Sequence, residues 1–351
     1  MIDAAVSALQ NEKFIAGESV HKFEEEFARY CTTKYAVAVS SGTAALHLAM
    51  LAVGVKPKDE VITQANSFIA SSNSIIHAGG TPVFCDANDD YLLDYQQLPK
   101  KISRKTKAII PVHLYGNPSD MDEINELAQK KNITVIEDDA QAHGALYKGK
   151  KIGSLATVGC FSFYSTKNMT VCGDGGMVTT NDEKIANSII SLRNHGRTGQ
   201  DIHTAIGYTA RLNTVSAAIG RVQLKHLDEW VQKRRTIAQH YHDKLSDIDE
   251  LNLPPGDKNG KKPSYHLYVV KTEKRNQLVD YMRKAGIICL VHYPTPIPMQ
   301  PIYKELYHYK EGDFPKSEEQ ASHILDLPMF PELPEKDVHF ISEKIHEFFH
   351  R

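Results

Sequence analysis

Four short segments of this 351-residue chain carry side chains able to do chemistry together. Ser40-Ser41-Gly42-Thr43 stands between an apolar run, Tyr35–Val39, and an Ala/Leu-rich stretch, Thr43–Leu51. Free N–H groups at a helix start, with the helix dipole behind them, form an anion site. Gly42 would let the backbone approach closely and Thr43 adds a hydroxyl; the ordinary alternative is a Ser/Thr N-cap. Glu137-Asp138-Asp139-Ala140-Gln141 sets consecutive carboxylates at the end of Ile133–Glu137. Adjacent acids at a buried strand end are unfavourable without a cation, which could be a metal, an arginine or a protonated ring nitrogen. In Cys160–Asn168, Phe161 and Phe163 alternate with Ser162 and Tyr164, so one face packs and the other carries hydroxyls, with Lys167 at the end. A lysine after a strand is usually solvated; in a desolvated cleft it loses its proton more easily and becomes a nucleophile. Asn66-Ser67-Phe68 adds an aromatic that either joins the core or stacks on a planar ligand.

Together these segments supply a phosphate cradle, a carboxylate, a Schiff-base lysine and an aromatic plate, the inventory that pyridoxal phosphate needs. One decoy is set aside. Gly144–Lys150 fits the GxxxxGK spacing of a phosphate loop, but Lys151 stands where a magnesium-binding Ser or Thr is required. No GxGxxG turn, HExxH or zinc-like Cys/His spacing is present, and no metal site is expected.

The elements that position these segments read as alternating strands and helices. Short apolar runs at Tyr35–Val39, Glu60–Thr63, Pro82–Cys85, Ala108–Leu114, Ile133–Glu137, Cys160–Tyr164 and Met177–Thr180 predict strands, with helices over Thr43–Leu51, Phe68–His77 and Met121–Lys131. This is an α/β pattern with a mostly parallel sheet covered on both faces. All four segments then lie past the C-terminal ends of strands, where open α/β sheets bind ligands. A long helical pattern over Asn213–Arg235 continues through Arg234–His242 into a different texture: a polar loop at Pro254–Pro263, strands at Tyr265–Val270 and Gly286–His292, and helices at Asn276–Ala285 and Glu335–His350. The expected division is a large domain over 1–235 and a smaller α+β domain over 236–351. The basic run Lys258–Lys262 reads as a solvated loop.

Composition narrows the classes. Hydrophobic residues make up 41% and charged residues 24%, and 41 basic against 43 acidic side chains leave a net charge of −2. That balance gives no electrostatic reason to expect nucleic acid or an anionic membrane as partner. Mean hydropathy is −0.38, no apolar stretch approaches a membrane span, and the N-terminus lacks the pattern of a signal peptide. Five scattered cysteines without a CxxC pair fit a reduced, cytoplasmic protein.

With these motifs in view, the sequence resembles the DegT/DnrJ/EryC1/StrS family of nucleotide-sugar aminotransferases, which have the fold-type-I aspartate aminotransferase architecture. The resemblance runs from Phe23-Glu-Glu-Glu-Phe and Ser40-Ser-Gly-Thr-Ala-Ala-Leu-His-Leu through Pro111-Val-His-Leu-Tyr-Gly, Ile136-Glu-Asp-Asp-Ala-Gln-Ala-His-Gly-Ala and Phe161-Ser-Phe-Tyr-Ser-Thr-Lys-Asn-Met to Leu192-Arg-Asn-His-Gly-Arg and Val291-His-Tyr-Pro-Thr-Pro. It implies that Lys167 is the Schiff-base lysine and that Asp138, three residues before Gln141, partners the pyridine nitrogen. Gln141 would contact the ring's 3-oxygen, Phe68 would stack on the ring, and Gly42, Thr43 and Ser162 would hold the phosphate. It further implies pyridoxal 5′-phosphate cycling through pyridoxamine phosphate, glutamate as amino donor, a nucleotide-linked keto-sugar as acceptor, and a homodimer with shared active sites. His195, within the Arg193–Arg197 stretch, and His292 and Tyr293 are the expected substrate residues.

The chain also departs from the family pattern. Thr209 stands where an Asn usually reaches the neighbouring subunit's cofactor phosphate; Asn213 either substitutes for it or caps the next helix. The short arm that commonly precedes the first helix is not evident, so part of the sugar or dimer contact is expected to be missing. Three rivals stand beside the aminotransferase. A same-fold dehydratase would carry His in place of Lys167, a non-enzymatic sensor would use the fold as a binding module, and a third enzyme would act on a small keto-acid.

Overall fold

The computed structural model describes residues 1–350. Two helices open the chain, α1 (Ile2–Asn11) and α2 (Glu18–Cys31), before the first strand, β1 (Tyr35–Val39). Then follow α3 (Gly42–Ala52), β2 (Glu60–Gln64), α4 (Ala70–His77), β3 (Thr81–Cys85), the short α5 (Leu98–Lys101), β4 (Thr106–Ile110), α6 (Met121–Lys131) and β5 (Thr134–Asp138). A small hairpin, β6 (Leu146–Tyr147) and β7 (Lys150–Lys151), leads to β8 (Val158–Ser162) and β9 (Gly176–Thr180). The seven long strands form one sheet in the order β1-β9-β8-β5-β4-β2-β3. Only β9 runs against its neighbours, so the C-terminal ends of the other six share one edge. Their near-continuous apolar character is that of strands buried on both faces.

The apolar run predicted as a strand over Ala108–Leu114 stops pairing at Ile110. Pro111 has no N–H to give the ladder, and the chain turns through Tyr115 (φ 60°) and Gly116 (φ 91°). The predicted helix over Phe68–His77 starts at Ala70, leaving Phe68 outside it. The GxxxxGK decoy is the β6–β7 hairpin and carries no helix for a phosphate.

Beyond β9, α7 (Glu183–Leu192) leads to a small exposed hairpin, β10 (Arg197–Gly199) and β11 (Ile202–His203), and then to α8 (Thr214–Leu245). α8 is one unbroken 32-residue helix that crosses the expected boundary at 235. Its first half packs Ala217, Leu227 and Val231 against Phe23, Phe27, Phe161 and Phe163; its second half gives Ile237, Tyr241 and Leu245 to a separate C-terminal core. That core is completed by β13 (Tyr268–Lys271), α9 (Arg275–Lys284), β14 (Ile324–Leu327) and α12 (Glu335–Phe349). Between β9 and these elements β12 (Lys261–Lys262) joins the β6 hairpin, while α10 (Pro301–Tyr307) and α11 (Pro315–His323) precede β14.

One expectation fails in this half and a second holds only in part. Gly286–His292 forms no strand: a single bridge ties Leu290 to Asp326, and Ile288 is 76% exposed. The basic run departs from a solvated loop at one residue: Lys258 and Lys262 are exposed, but Lys261 is buried and paired with Asp120 at 2.6 Å. No helix among the described residues is long and apolar enough to cross a membrane.

Candidate active site

The four segments singled out in the sequence converge where the parallel strands end. At β1, Ser41 caps α3 through its hydroxyl, accepting from Ala44 N at 3.1 Å, and its carbonyl takes Ala45 N. Helix geometry leaves the N–H groups of Gly42 and Thr43 without intrahelical partners, so cap and anion site coexist here. Gly42 is required by its neighbour: a Cβ there would lie 2.6 Å from Ser162 Cβ. That approach sets the start of α3 directly against the hydroxyl at the end of β8.

Lys167 follows β8 on a tight turn, its N–H donating to Tyr164 O at 2.8 Å. Burial holds its ammonium down to about 8, with the Asp138 carboxylate opposing the shift.

Alternation along β5 sorts the three consecutive acids, since successive strand side chains face opposite ways. Asp138 Oδ2 accepts from Ser71 Oγ at 2.7 Å and Oδ1 from Ala140 N at 3.2 Å. Ser71, in the first turn of α4, also lies 3.0 Å from Ser67 Oγ. Asp138 is 4% exposed, and burial pushes its carboxyl up against those two hydrogen bonds and the charge of Lys167. A desolvated carboxylate with two donors is suited to a cationic ring N–H.

Glu137 and Asp139 face the other way. Glu137 accepts from the N–H groups of Gly153, Leu155 and Ala156 at 2.9–3.1 Å. Its Oε2 lies 3.2 Å from His113 Nε2, which is also 3.4 Å from Asp139 Oδ1. His113 Nδ1 accepts from Ser119 N at 2.9 Å, so the neutral ring carries its proton on Nε2 and acts there as a donor, not as a metal ligand. Burial, followed by the charges of Glu137 and Asp138, pushes Asp139 well above the ordinary carboxylate value of 3.8. A raised native pKa means that stability from Asp139 is full below that ordinary value and is lost as pH rises through the native one. Asp139→Asn should therefore melt above wild type from neutral to alkaline pH, by about 1–3 kcal/mol for removing a strained buried charge. The difference should shrink toward acid, and calorimetry across that range checks it.

The remaining expected residues divide. Gln141 is gripped at both ends, Oε1 accepting from Tyr115 N at 2.7 Å and Nε2 donating to Tyr293 Oη at 3.1 Å. Phe68, 52% exposed, lies 5.6 Å from the Tyr293 ring, so it is a cleft residue rather than core. Asn66 serves structure, donating to Tyr91 O and Gln320 Oε1. His292 joins this wall beside Tyr293, its ring held by Asp326. Asn213 caps α8, accepting from Ser216 N at 2.8 Å, which is the second of its two expected roles. His195 is exposed and its Nε2 pairs with Thr209 Oγ1 at 3.0 Å; none of its contacts is with the residues around Lys167. Ser71, His113 and Asp326 were missed, and the only sequence signal for the first was the serine run Ser67, Ser71, Ser72 and Ser74.

Comparison with known proteins gives this arrangement its context. A pleiotropic regulatory protein of Geobacillus stearothermophilus is 40% identical over 97% of this chain and 92% of its own length. A dTDP-3-amino-3,4,6-trideoxy-α-D-glucose transaminase of Streptomyces venezuelae is 38% identical over 99% and 92%. Among solved structures, S. venezuelae DesV in complex with a ketimine intermediate superposes with a TM-score of 0.97 at 37% identity, covering 100% of this chain and 94% of that one. NtdA from Bacillus subtilis with bound cofactor PMP gives 0.90 at 29% identity, over 100% and 81%. The model of the DegT/DnrJ/EryC1/StrS aminotransferase family matches residues 1–346, and the chain belongs to that family.

Proposed function

We propose that the protein is a pyridoxal-phosphate-dependent aminotransferase that moves an amino group from glutamate to a nucleotide-linked keto-sugar. The observation that carries this reading is the placement, at one sheet edge, of Lys167 after β8, a buried and hydroxyl-braced Asp138 after β5, and the start of α3 set against Ser162. The residues fit the cofactor. The start of α3 at Gly42 and Thr43, with Ser162 against it, would hold the phosphate; Asp138 would hold the ring nitrogen, Phe68 the ring face and Gln141 the 3-oxygen. When bound, the cofactor supplies an electron sink for the carbanion at the substrate carbon. Lys167 Nζ, whose ammonium burial holds down to about 8, would anchor the cofactor and serve as base for the donor's Cα proton. Asp138 would keep the ring nitrogen protonated, and the Tyr293–Gln141–Tyr115 contacts hold the cleft wall in place.

A keto-sugar acceptor is supported by the sugar transaminases among the relatives. A homodimer is supported by apolar side chains left exposed on α1 (Ile2, Val6, Leu9), beside it (Phe14) and around the β10–β11 hairpin (Ile202, Ile206). A regulatory role is the second reading, favoured by the name of the G. stearothermophilus relative. The deciding assay measures 2-oxoglutarate released from glutamate with nucleotide-linked keto-sugars beside pyruvate and oxaloacetate. Turnover with the keto-sugars is expected. Turnover of the simple keto-acids alone would reject the sugar acceptor, and cofactor binding without any turnover would favour the regulator.

A further inference from the structure

His292 is held by a carboxylate that the reading above does not use. Asp326 is third in β14, a strand whose four side chains are all buried. Leu325 and Leu327 enter the C-terminal core, while Ile324, two before Asp326, packs with Tyr115 and near Tyr293. By alternation Asp326 shares the face of Ile324 and points to the cleft wall.

Oδ2 of Asp326 pairs with Nδ1 of His292, and Oδ1 has no partner. Asp326 is 5% exposed; burial pushes its carboxyl up, while the ring and the backbone of His292 favour its charged form. His292 is fixed from its other side as well: its carbonyl accepts from Tyr115 Oη, whose own backbone N–H holds Gln141. About a third of the His292 side chain, 32%, stays open beside Tyr293.

A neutral imidazole has one donor and one acceptor nitrogen, and the partner of one decides the other. An ionised carboxylate only accepts, so it takes the proton on Nδ1 and leaves Nε2 with a lone pair. We propose that Asp326 is a positioning residue that holds neutral His292 as its Nδ1–H tautomer, making Nε2 a hydrogen-bond acceptor for a hydroxyl of the acceptor sugar. The inference rests on the sugar reading given above. It separates the two substrates, because the carboxylates of glutamate offer no proton to Nε2 and gain nothing from it.

Asp326→Asn tests this, since an amide keeps the shape but can turn an N–H toward Nδ1 and reverse the tautomer, as in a triad aspartate changed to asparagine. Loss of one hydrogen bond should raise KM for the keto-sugar about tenfold, with KM for glutamate changed less than about twofold. The rate at which glutamate alone bleaches the cofactor's visible band should likewise be unchanged. Independently of turnover, ¹⁵N shifts of the His292 ring in cofactor-free protein at mildly alkaline pH should show Nδ1–H in wild type and Nε2–H in the variant. Nε2–H in wild type would overturn the proposal, and this holds even if the variant fails to fold. So would an unchanged KM for the sugar, or an equal rise for both substrates. If wild type turns over no keto-sugar, the sugar reading fails by itself, and the proposed hydroxyl contact fails with it.

Discussion

Lys167→Ala should abolish transamination while leaving a folded protein that still binds the cofactor. The base for proton transfer contributes about 10²–10⁴-fold, and the covalent anchor is lost with it, so turnover should fall by at least about four orders of magnitude. Borohydride treatment of the wild-type holoenzyme should fix the cofactor to the peptide containing Lys167, and label on any other lysine would reject the assignment. Two observations make Lys167 the choice. It follows β8, whose last residue, Ser162, meets the start of α3 across Gly42. It is also the lysine that burial brings down to about 8. Lys261, the buried lysine of the basic run, is neutralised by Asp120. Lys167→Arg gives a control: guanidinium keeps its proton at any working pH, so that variant should be as inactive as the alanine one.

The strands and their order of use were legible because each is a short apolar run ending in polar residues, and the chemistry sits at those ends. The segments that hold Lys167, the consecutive acids and the Gly42 cradle could be found from local sequence, since a strand end fixes where its next residues lie; the choice of Asp138 over Asp139 came from the family resemblance. What remained hidden depends on partners far apart in the chain. Ser71 reaches Asp138 across 67 residues, Glu137 meets His113 across 24, and His292 meets Asp326 across 34. No periodicity encodes such pairs. The false strand over Gly286–His292 has a physical cause too: Ile288 and Leu290 are apolar but exposed, at 76% and 56%. The segment has one bridge to β14 and no sheet to join. Pattern reading assumes that apolar side chains are buried, and here they are not. α8 runs through the expected boundary at 235 without a break and gives its two halves to two cores, a continuity that composition does not encode.

Asp138→Asn should keep the fold and lose most of the rate, and it carries the test of which acid in Glu137-Asp138-Asp139 faces the cofactor. Asparagine keeps the side chain in place with one acceptor in place of two: its oxygen can take Ala140 N, and its amide N–H can donate to Ser71 Oγ once that hydroxyl turns its own proton away. It cannot hold a proton on the ring nitrogen. A carboxylate that moves the ring nitrogen's pKa by two units is worth ~2.7 kcal/mol, about a hundredfold in the protonated fraction, and turnover should fall by at least that factor. Asp138 also opposes the lowering of the Lys167 pKa. Its neutralisation should therefore move the acid limb set by Lys167 to lower pH, a displacement that a purely structural defect would not produce. Asp139→Asn should behave oppositely, near normal in turnover and more stable toward alkaline pH, because Asp139 faces His113. If the Asp139 variant is crippled and the Asp138 variant is normal, the side-chain alternation along β5 has been assigned to the wrong face, and with it the whole register of the site.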